Sequence, residues 1–310
     1  MAIPVSRTAL PTLAMPTLVG SATVSPTPTP SPTMTDTPTL APLAGGAPNA
    51  TASPLPLLIS AAPFQDHFLM ERPFDPEHTN WVSRNYPYGS TGGGNYRVHH
   101  GMDLMNPNGT PVRAVADGTV LYAGPDTDRV FGPEPDFYGN VVVISHDFTT
   151  ADGQLVFTLY GHLSKVSVQA GQRVDRYDQI GLVGATGVAI GAHLHFEVRV
   201  ADPYDYGAVR NPDLWIQNFD GFGVLAGRIT DAEGNLVEGL ALTVSAPGIV
   251  RDLATYSEGV WGDDQLEENF AIGDLPEGDY TLILHLGDRK LRQPVTVYRE
   301  RVNWVEIELP

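Results

Sequence analysis

The 310-residue sequence contains no cysteine, which excludes disulfides, thiolate metal sites and a cysteine nucleophile. Basic residues are also scarce, since 18 Lys and Arg stand against 36 Asp and Glu and give a formal net charge of −18. A strongly acidic chain repels polyanions, so nucleic acid is not an expected partner. A metal ion, if one is bound, must be held by His and carboxylate side chains.

Long apolar runs are absent as well. No run of about 18 apolar residues occurs, so the sequence predicts no transmembrane segment. The first 20 residues contain one Arg and are interrupted by prolines at positions 4, 11 and 16, so they lack the basic region and the apolar stretch of a secretory signal. The expectation is that such a signal has been removed or lies upstream.

Turn-forming residues are abundant instead. The 32 Gly and 27 Pro favour turns over long helices and indicate an all-β fold. Residues 1–62 hold 12 of the prolines, many alternating with Thr or Ser, and almost no charged or aromatic side chain. Such a segment buries too little apolar surface to offset its loss of conformational entropy. It predicts a disordered Pro/Thr-rich stalk or linker.

The remaining sequence predicts two β-rich domains. In residues 63–221, short segments rich in Val, Ile, Phe and Tyr end at Gly, Asp or Pro, and they predict a curved antiparallel sheet: GTVLYAG, NVVVISHD, LVFTLYGHLS and HLHFEVRV. In residues 222–310, Gly-containing turns recur about every ten residues, which predicts a separate β-sandwich. All candidate site residues lie in the first domain, so residues 63–221 are expected to fold and act alone.

His193 and His195 are two positions apart in one predicted strand. Their side chains therefore project from the same face, about 6.6 Å apart. This spacing suits one metal ion, or a metal ligand beside a catalytic base. Strand geometry leaves open which of the two histidines binds the metal. Glu197 follows two residues later, on the face that would carry the site, but we interpret it as an exposed strand carboxylate.

His99 and Asp103 are separated by four residues, which would span about 13 Å in a straight strand. The backbone must bend between them if both bind one ion. Gly101 lies at the midpoint and tolerates a bulge or a positive φ. A helical turn would also bring the pair together, but the flanking sequence favours helix poorly. With a further histidine, these residues form a three-ligand zinc site whose fourth position is left to water.

Four motifs make the interpretation specific: HHGMDLMNPNGTPVRAVADGTVLYAG, FYGNVVVISHD, LYGHLSKVSVQAGQRVDRYDQIGLVGATG and GAHLHFEVR. Over about residues 97–200, their order and spacing resemble those of the lysostaphin/LytM metallopeptidases. The resemblance implies an antiparallel β-sheet groove domain (a duplicated hybrid motif) with one Zn²⁺ per chain. It implies His99, Asp103 and His195 as zinc ligands and His162 and His193 as catalytic residues.

The same resemblance implies an extracytoplasmic endopeptidase that cleaves peptidoglycan stem peptides or cross-bridges. One departure is residues 125–136, an acidic insertion that either lines the groove or forms a harmless surface extension. Residues 222–310 resemble carboxypeptidase regulatory-like, transthyretin-like sandwiches, with a wall or surface ligand as a possible partner.

Two alternatives lead to different functions. The first is a non-catalytic LytM-type regulator that binds the wall or activates other murein hydrolases. Such a role is adopted where metal ligands have been lost, whereas all five expected residues are present here. The second is a cupin-like metal protein, in which a His-x-His pair is followed by a carboxylate. Arg199 stands at that position, which disfavours a cupin.

Overall fold

A computed structural model describes residues 66–310, so the predicted stalk at 1–62 lies outside the described residues. The described part contains strands and one 3-10 turn, Pro212–Leu214, and no α-helix, which confirms the all-β prediction. Among these residues, no helix is long and apolar enough to cross a membrane.

The strands, in chain order, are β1 (Met102–Leu104), β2 (Pro111–Arg113), β3 (Gly118–Pro125), β4 (Asn140–Thr149), β5 (Leu155–Leu163), β6 (Lys165–Val166), β7 (Arg173–Val174), β8 (Gln179–Leu182), β9 (Leu194–Val200), β10 (Val209–Arg210), β11 (Phe222–Thr230), β12 (Ala241–Ala246), β13 (Ile249–Ala254), β14 (Phe270–Pro276), β15 (Gly278–Leu286), β16 (Arg289–Val297) and β17 (Val302–Glu308).

The N-terminal part is built on a seven-stranded sheet in the order β1-β9-β5-β4-β3-β7, with β10 also paired to β9. All its neighbouring strands are antiparallel. Strand β9 is buried along its whole length, because it lies between β5 on one side and β1 and β10 on the other. A small sheet in the order β2-β8-β6 accompanies it. The most enclosed strand of the sheet is therefore the one that carries His195.

The C-terminal part consists of two sheets, β14-β11-β17 and β13-β12-β15-β16. In β15, Tyr280, Leu282 and Leu284 are buried while the residues between them are more exposed, which is the alternation of a half-buried strand. Both sheets contribute to one apolar core, including Ile272 from the first and Leu282 from the second. The sheets therefore pack face to face. The specific resemblance to carboxypeptidase regulatory-like domains stays a prediction.

The predicted boundary after residue 221 coincides with the start of β11, but the apolar core continues across it. One buried cluster contains Phe74 and Trp215 together with Val224, Ala271 and Trp304. The separation of 63–221 and 222–310 into two independently folding domains stays a prediction, and this shared core argues against it.

Ion pairs also cross the boundary at residue 221. The Nη2 atom of Arg72 lies 2.6 Å from Asp274 Oδ1, and the two Nη atoms of Arg84 lie 2.6 Å from Asp213 Oδ2 and 3.2 Å from Asp274 Oδ2. These arginines belong to the N-terminal part and Asp274 to β14. Since the carboxylates are nearly buried, loss of one partner would leave an uncompensated charge.

Glu268, in the loop before β14, is a fully buried acid at this boundary. Burial raises its pKa to about 8, although the Asp263 N–H and the Tyr256 hydroxyl both donate to its carboxylate. A raised folded-state pKa contributes stability below the unfolded value near 4.5, and that stability is lost as the pH rises through 8. We expect a loss on the order of 3 kcal/mol between pH 5 and pH 9.

The Glu268→Gln variant, which cannot ionise, tests this expectation. Urea unfolding at pH 5 and pH 9 should give a smaller pH-dependent loss of unfolding free energy in the variant than in the parent protein. Identical losses in both proteins would mean that Glu268 titrates normally.

Candidate metal centre and active-site cleft

His99, Asp103 and His195 meet through the pairing of β1 with β9. His99 lies just before β1, and Asp103 within β1 is directly opposite His195 in β9. The Nε2 atom of His99 lies 3.2 Å from both Asp103 Oδ1 and His195 Nδ1, and the latter two atoms are 3.0 Å apart. Three potential ligand atoms therefore converge on one point.

These distances fit a zinc ion. Donor atoms on a tetrahedral zinc with bonds of about 2.0–2.1 Å are separated by about 3.3 Å, close to the observed spacing. Two imidazole nitrogens and one carboxylate oxygen also form a donor set typical of catalytic zinc. Within residues 66–310, this is the one group of three or more His, Cys, Asp or Glu side chains with the required proximity. Their role as ligands stays a prediction.

Gly101 serves a different purpose from the one expected. The chain bends there, but its φ is not positive. A Cβ atom at this position would lie 2.3 Å from the Phe196 carbonyl oxygen and 3.0 Å from Glu197 Cγ. Glycine is therefore required because the chain passes directly against β9. The bend expected between His99 and Asp103 is present, and of the two geometries that glycine was expected to allow, a bulge or a positive φ, the positive φ is not found.

The outer nitrogens of both imidazoles have hydrogen-bond partners. Nδ1 of His99 lies 2.6 Å from the Tyr86 carbonyl oxygen, and the Tyr86 ring stacks on the imidazole at 4.3 Å. Nε2 of His195 lies 3.0 Å from Glu197 Oε1. Because carbonyl and carboxylate oxygens only accept, each of these nitrogens carries a proton. The opposite nitrogens, which face Asp103 Oδ1, are then the ones that a metal would take, with release of any proton they carry.

Glu197 is buried, so its interpretation as an exposed strand carboxylate was wrong. Its carboxylate accepts hydrogen bonds from His195 Nε2, from the Tyr138 hydroxyl and from Arg199 Nε at 2.7 Å. Arg199 is also fully buried and donates to the Pro203 and Phe131 carbonyl oxygens at 2.9 and 3.0 Å. The sequence contained a signal, because residues 195, 197 and 199 share one strand face.

The charges around His195 shift its titration. Burial acts to lower the pKa of His195, but the hydrogen bonds and charges of Asp103 and Glu197 outweigh it and raise this pKa to about 9. Burial acts to raise the pKa of Asp103, yet the nearby His99 and His195 hold it well below its usual range. Both carboxylates are thus kept ionised beside the three potential ligand atoms.

His162 and His193 lie beside these three residues, with ring centroids 4.8 Å apart. Nδ1 of His162 donates to the Thr186 carbonyl oxygen at 2.8 Å, and Nδ1 of His193 donates to that of Gly191 at 3.0 Å. Nε2 of His193 is 3.6 Å from Asp103 Oδ1. All five predicted site residues therefore lie together.

The environment of this histidine pair favours neutral imidazoles. Burial, aided by the charges of His195 and His193, lowers the pKa of His162 to about 3. Burial also lowers the pKa of His193. His162 has a φ of +60°, a left-handed conformation that is costly for a residue with a Cβ. In this conformation, the His162 imidazole projects from β5 toward His193 and His195.

Residues 97–208 match the model of peptidase family M23. The chain carries a peptidase M23 domain. The five clustered residues all fall inside the matched range.

Two curated relatives resemble the M23 domain. The DD-carboxypeptidase/endopeptidase Mpg of Neisseria meningitidis is 46% identical over 105 residues, which cover 34% of this chain and 21% of the relative. The peptidoglycan DD-endopeptidase ShyA of Vibrio cholerae is 41% identical over 102 residues, covering 33% and 20% respectively. The match thus spans about a fifth of the length of these relatives.

A solved structure also resembles this part of the chain. The catalytic domain of lysostaphin from Staphylococcus simulans is 30% identical, with coverage of 43% of this chain and 86% of that chain. The TM-score of the superposition is 0.33.

The five site residues of the M23 domain lie at the floor of an open cleft. The four histidines are at most 7% exposed, while Val188 and Ile190 on the wall are 61% and 81% exposed. The other wall residues include Tyr86, Tyr96, Arg97, Met105, Glu134, Phe137 and Tyr206. Buried polar groups below an open, largely apolar and aromatic wall are typical of a ligand-binding cleft.

The inserted loop 125–136 contributes to this cleft through Glu134, which pairs with Arg97 at 3.4 Å. The loop is also anchored in the M23 domain. Asp126 is buried and accepts a hydrogen bond from the Tyr138 N–H at 2.8 Å, and Phe131 is buried in an apolar cluster. Of the two expectations for this insertion, the structure favours the loop that lines the groove.

Three further histidines have structural partners. His100 is buried, stacks on Tyr206 at 3.7 Å and donates from Nδ1 to the Tyr206 carbonyl oxygen at 2.8 Å. His146 contacts the Asp117 carbonyl oxygen and the Thr158 hydroxyl. His285, in β15, lies 3.0 Å from the Thr243 hydroxyl.

Proposed function

We propose that the M23 domain is a zinc-dependent endopeptidase that hydrolyses peptide bonds in peptidoglycan stems or cross-bridges. The observation that carries this proposal is the convergence of His99, Asp103 and His195 beside two neutral histidines at the floor of an open cleft. The name of the relative ShyA, a peptidoglycan DD-endopeptidase, supports peptidoglycan as the substrate, and that of Mpg supports endopeptidase activity. An extracytoplasmic location belongs to the same proposal, since that is where peptidoglycan lies.

His99, Asp103 and His195 would hold one zinc ion per chain. Bound zinc supplies Lewis acidity and lowers the pKa of a bound water from 15.7 to about 7. The Glu197 carboxylate fixes the His195 tautomer with Nδ1 free, and the Tyr86 carbonyl fixes that of His99 with Nε2 free. Both imidazoles are thus prepared to bind through the nitrogens that face Asp103.

His162 and His193 would transfer protons during the reaction. Their Nδ1–H groups are occupied by backbone carbonyls, which leaves each Nε2 as the free atom. A neutral imidazole can accept the proton of the attacking water and return it to the departing amine. When protonated, an imidazole can also donate a hydrogen bond to the developing oxyanion. Each histidine is expected to contribute about 10²–10⁴-fold in rate.

The metal requirement can be measured on the purified protein. Because the ligand set lacks thiolate and leaves one position open, we expect about one zinc per chain, removable by a chelator and restored by added zinc. Elemental analysis after zinc loading and removal of free metal gives the stoichiometry. A protein that retains no zinc under these conditions would contradict the proposal and favour the non-catalytic regulator.

The substrate proposal is tested by digestion of purified peptidoglycans with different cross-bridges. New amino and carboxyl termini, identified by mass spectrometry, would locate the cleaved bond. We expect cleavage by the zinc-loaded protein and none after chelation. If the protein binds zinc but cleaves no type of cell wall, the proposed metal site is kept and peptidoglycan is rejected as the substrate. A wall or surface ligand for the C-terminal sheets stays a prediction.

A further inference from the structure

The first candidate ligand, His99, is held by the short segment Tyr86–Ser90. The Gly89 N–H donates to the His99 carbonyl oxygen at 2.8 Å, and the His99 N–H donates to the Ser90 carbonyl oxygen at 2.9 Å. The same segment supplies the Tyr86 ring and carbonyl that contact the imidazole. Both the backbone and the side chain of His99 therefore depend on where this segment lies.

The two C-terminal sheets and their loops (residues 222–310, the C-terminal domain) hold this segment in turn. The Ser257 N–H donates to the Gly89 carbonyl oxygen at 3.0 Å. Tyr256 packs directly under Gly89, where an added Cβ would lie 2.6 Å from the Tyr256 Cδ1 atom. The rings of Tyr88 and Tyr256 meet edge-on with centroids 5.0 Å apart. The Tyr88 hydroxyl lies 2.9 Å from the Trp261 carbonyl oxygen, its acceptor in that domain.

Tyr256 is itself fixed from several directions. Its hydroxyl donates to Glu268 Oε1 at 3.0 Å and accepts from Asn211 Nδ2 at 2.9 Å. Its N–H donates to the Asn269 carbonyl oxygen at 2.7 Å. Tyr88 and Tyr256 are each only 5% exposed. The contact with Gly89 thus rests on a buried, fully hydrogen-bonded side chain.

We propose that Tyr256 and Ser257 of the C-terminal domain are positioning residues for the metal centre, which act on His99 through Gly89. The inference rests on the proposed function, because it assigns the C-terminal domain a role in the same zinc site. Two hydrogen bonds, Ser257 to Gly89 and Gly89 to His99, connect a loop after β13 to the first ligand. Residues outside 63–221 then complete the site.

Substitution of Gly89 separates this role from a merely structural one. Gly89 has a φ of +73°, and a methyl group there would press against Tyr256. Gly234, in the turn after β11, has a φ of +84° with no atom within 4 Å of an added Cβ. Gly89→Ala and Gly234→Ala therefore introduce similar backbone strain, but only the first displaces the segment that holds His99.

We expect Gly89→Ala to weaken zinc binding about tenfold, the lower end of the effect of partners that orient a metal ligand. Gly234→Ala should bind zinc within about twofold of the parent protein, since it touches no group near the site. Competition with a chromophoric chelator measures affinity, and thermal unfolding of the zinc-free proteins confirms that both variants are folded. Equal zinc affinity in folded Gly89→Ala and parent protein would overturn the proposal.

The unmodified protein gives a second test that does not depend on variant folding. Coupling between two sites is reciprocal, so zinc at His99 should also tighten the Ser257 contact. We expect zinc to slow hydrogen exchange of the Ser257 amide more than that of Leu284, a core residue of the same domain. Equal slowing of both amides would indicate global stabilisation and reject the specific link. If the parent protein binds no zinc at all, the proposed zinc-dependent function is rejected, and this inference is rejected with it.

Discussion

Alanine substitution of His99, Asp103 or His195 is expected to abolish both zinc binding and peptide cleavage. The three potential ligand atoms lie 3.0–3.2 Å apart, so each would supply one vertex of a zinc site that the other two residues alone cannot complete. A catalytic zinc with only two protein ligands loses most of its affinity. Elemental analysis and a cleavage assay on the same sample measure the two losses together.

His162→Ala and His193→Ala are the matched controls, because they lie in the same cleft but outside the group of potential ligands. Both variants should retain about one zinc per chain while turnover falls about 10²–10⁴-fold. The comparison also tests the assignment within the His-x-His pair. If His193→Ala lost zinc and His195→Ala kept it, the roles of the two histidines would be reversed.

Much of the fold could be predicted from local sequence patterns. The segments GTVLYAG, NVVVISHD, LVFTLYGHLS and HLHFEVRV correspond to β3, β4, β5 and β9, because β-branched and aromatic residues ending at Gly, Asp or Pro determine strands locally. The two-residue strands β6, β7 and β10 could not be predicted, because pairing partners distant in sequence define them.

The five predicted site residues were named through the resemblance of the four motifs to the lysostaphin/LytM metallopeptidases, since strand geometry alone left open which of His193 and His195 binds a metal. The residues that surround these five were harder to predict from the sequence. Glu197 was misjudged because acidic residues are rarely buried, and here the ion pair with Arg199 and the hydrogen bonds from His195 and Tyr138 make burial tolerable. The contact of Gly89 with Tyr256 joins residues far apart in sequence, so no local pattern indicates it. For the same reason, the core shared across residue 221 was not anticipated.

Loss of the Glu197 carboxylate is expected to damage the protein in two separable ways. Glu197→Ala leaves the fully buried Arg199 guanidinium without its charge partner, which should cost about 3–5 kcal/mol of unfolding free energy. It also removes the acceptor that holds the His195 ring, 3.0 Å from Nε2. Loss of such a partner typically weakens metal affinity about 10–100-fold.

The double variant Glu197→Leu with Arg199→Met distinguishes the two effects. It replaces the buried ion pair by apolar side chains of similar length, so part of the lost stability should return, because no buried charge is left unpaired. The rest should stay lost, because the Tyr138 hydroxyl and the Pro203 and Phe131 carbonyl oxygens lose their partners. The His195 ring would still lack its carboxylate partner, so zinc affinity should remain about 10–100-fold below that of the parent protein. Urea unfolding of the zinc-free proteins measures the first effect, and chelator competition measures the second. A stable double variant that binds zinc as tightly as the parent would mean that the carboxylate only compensates Arg199 and does not orient His195.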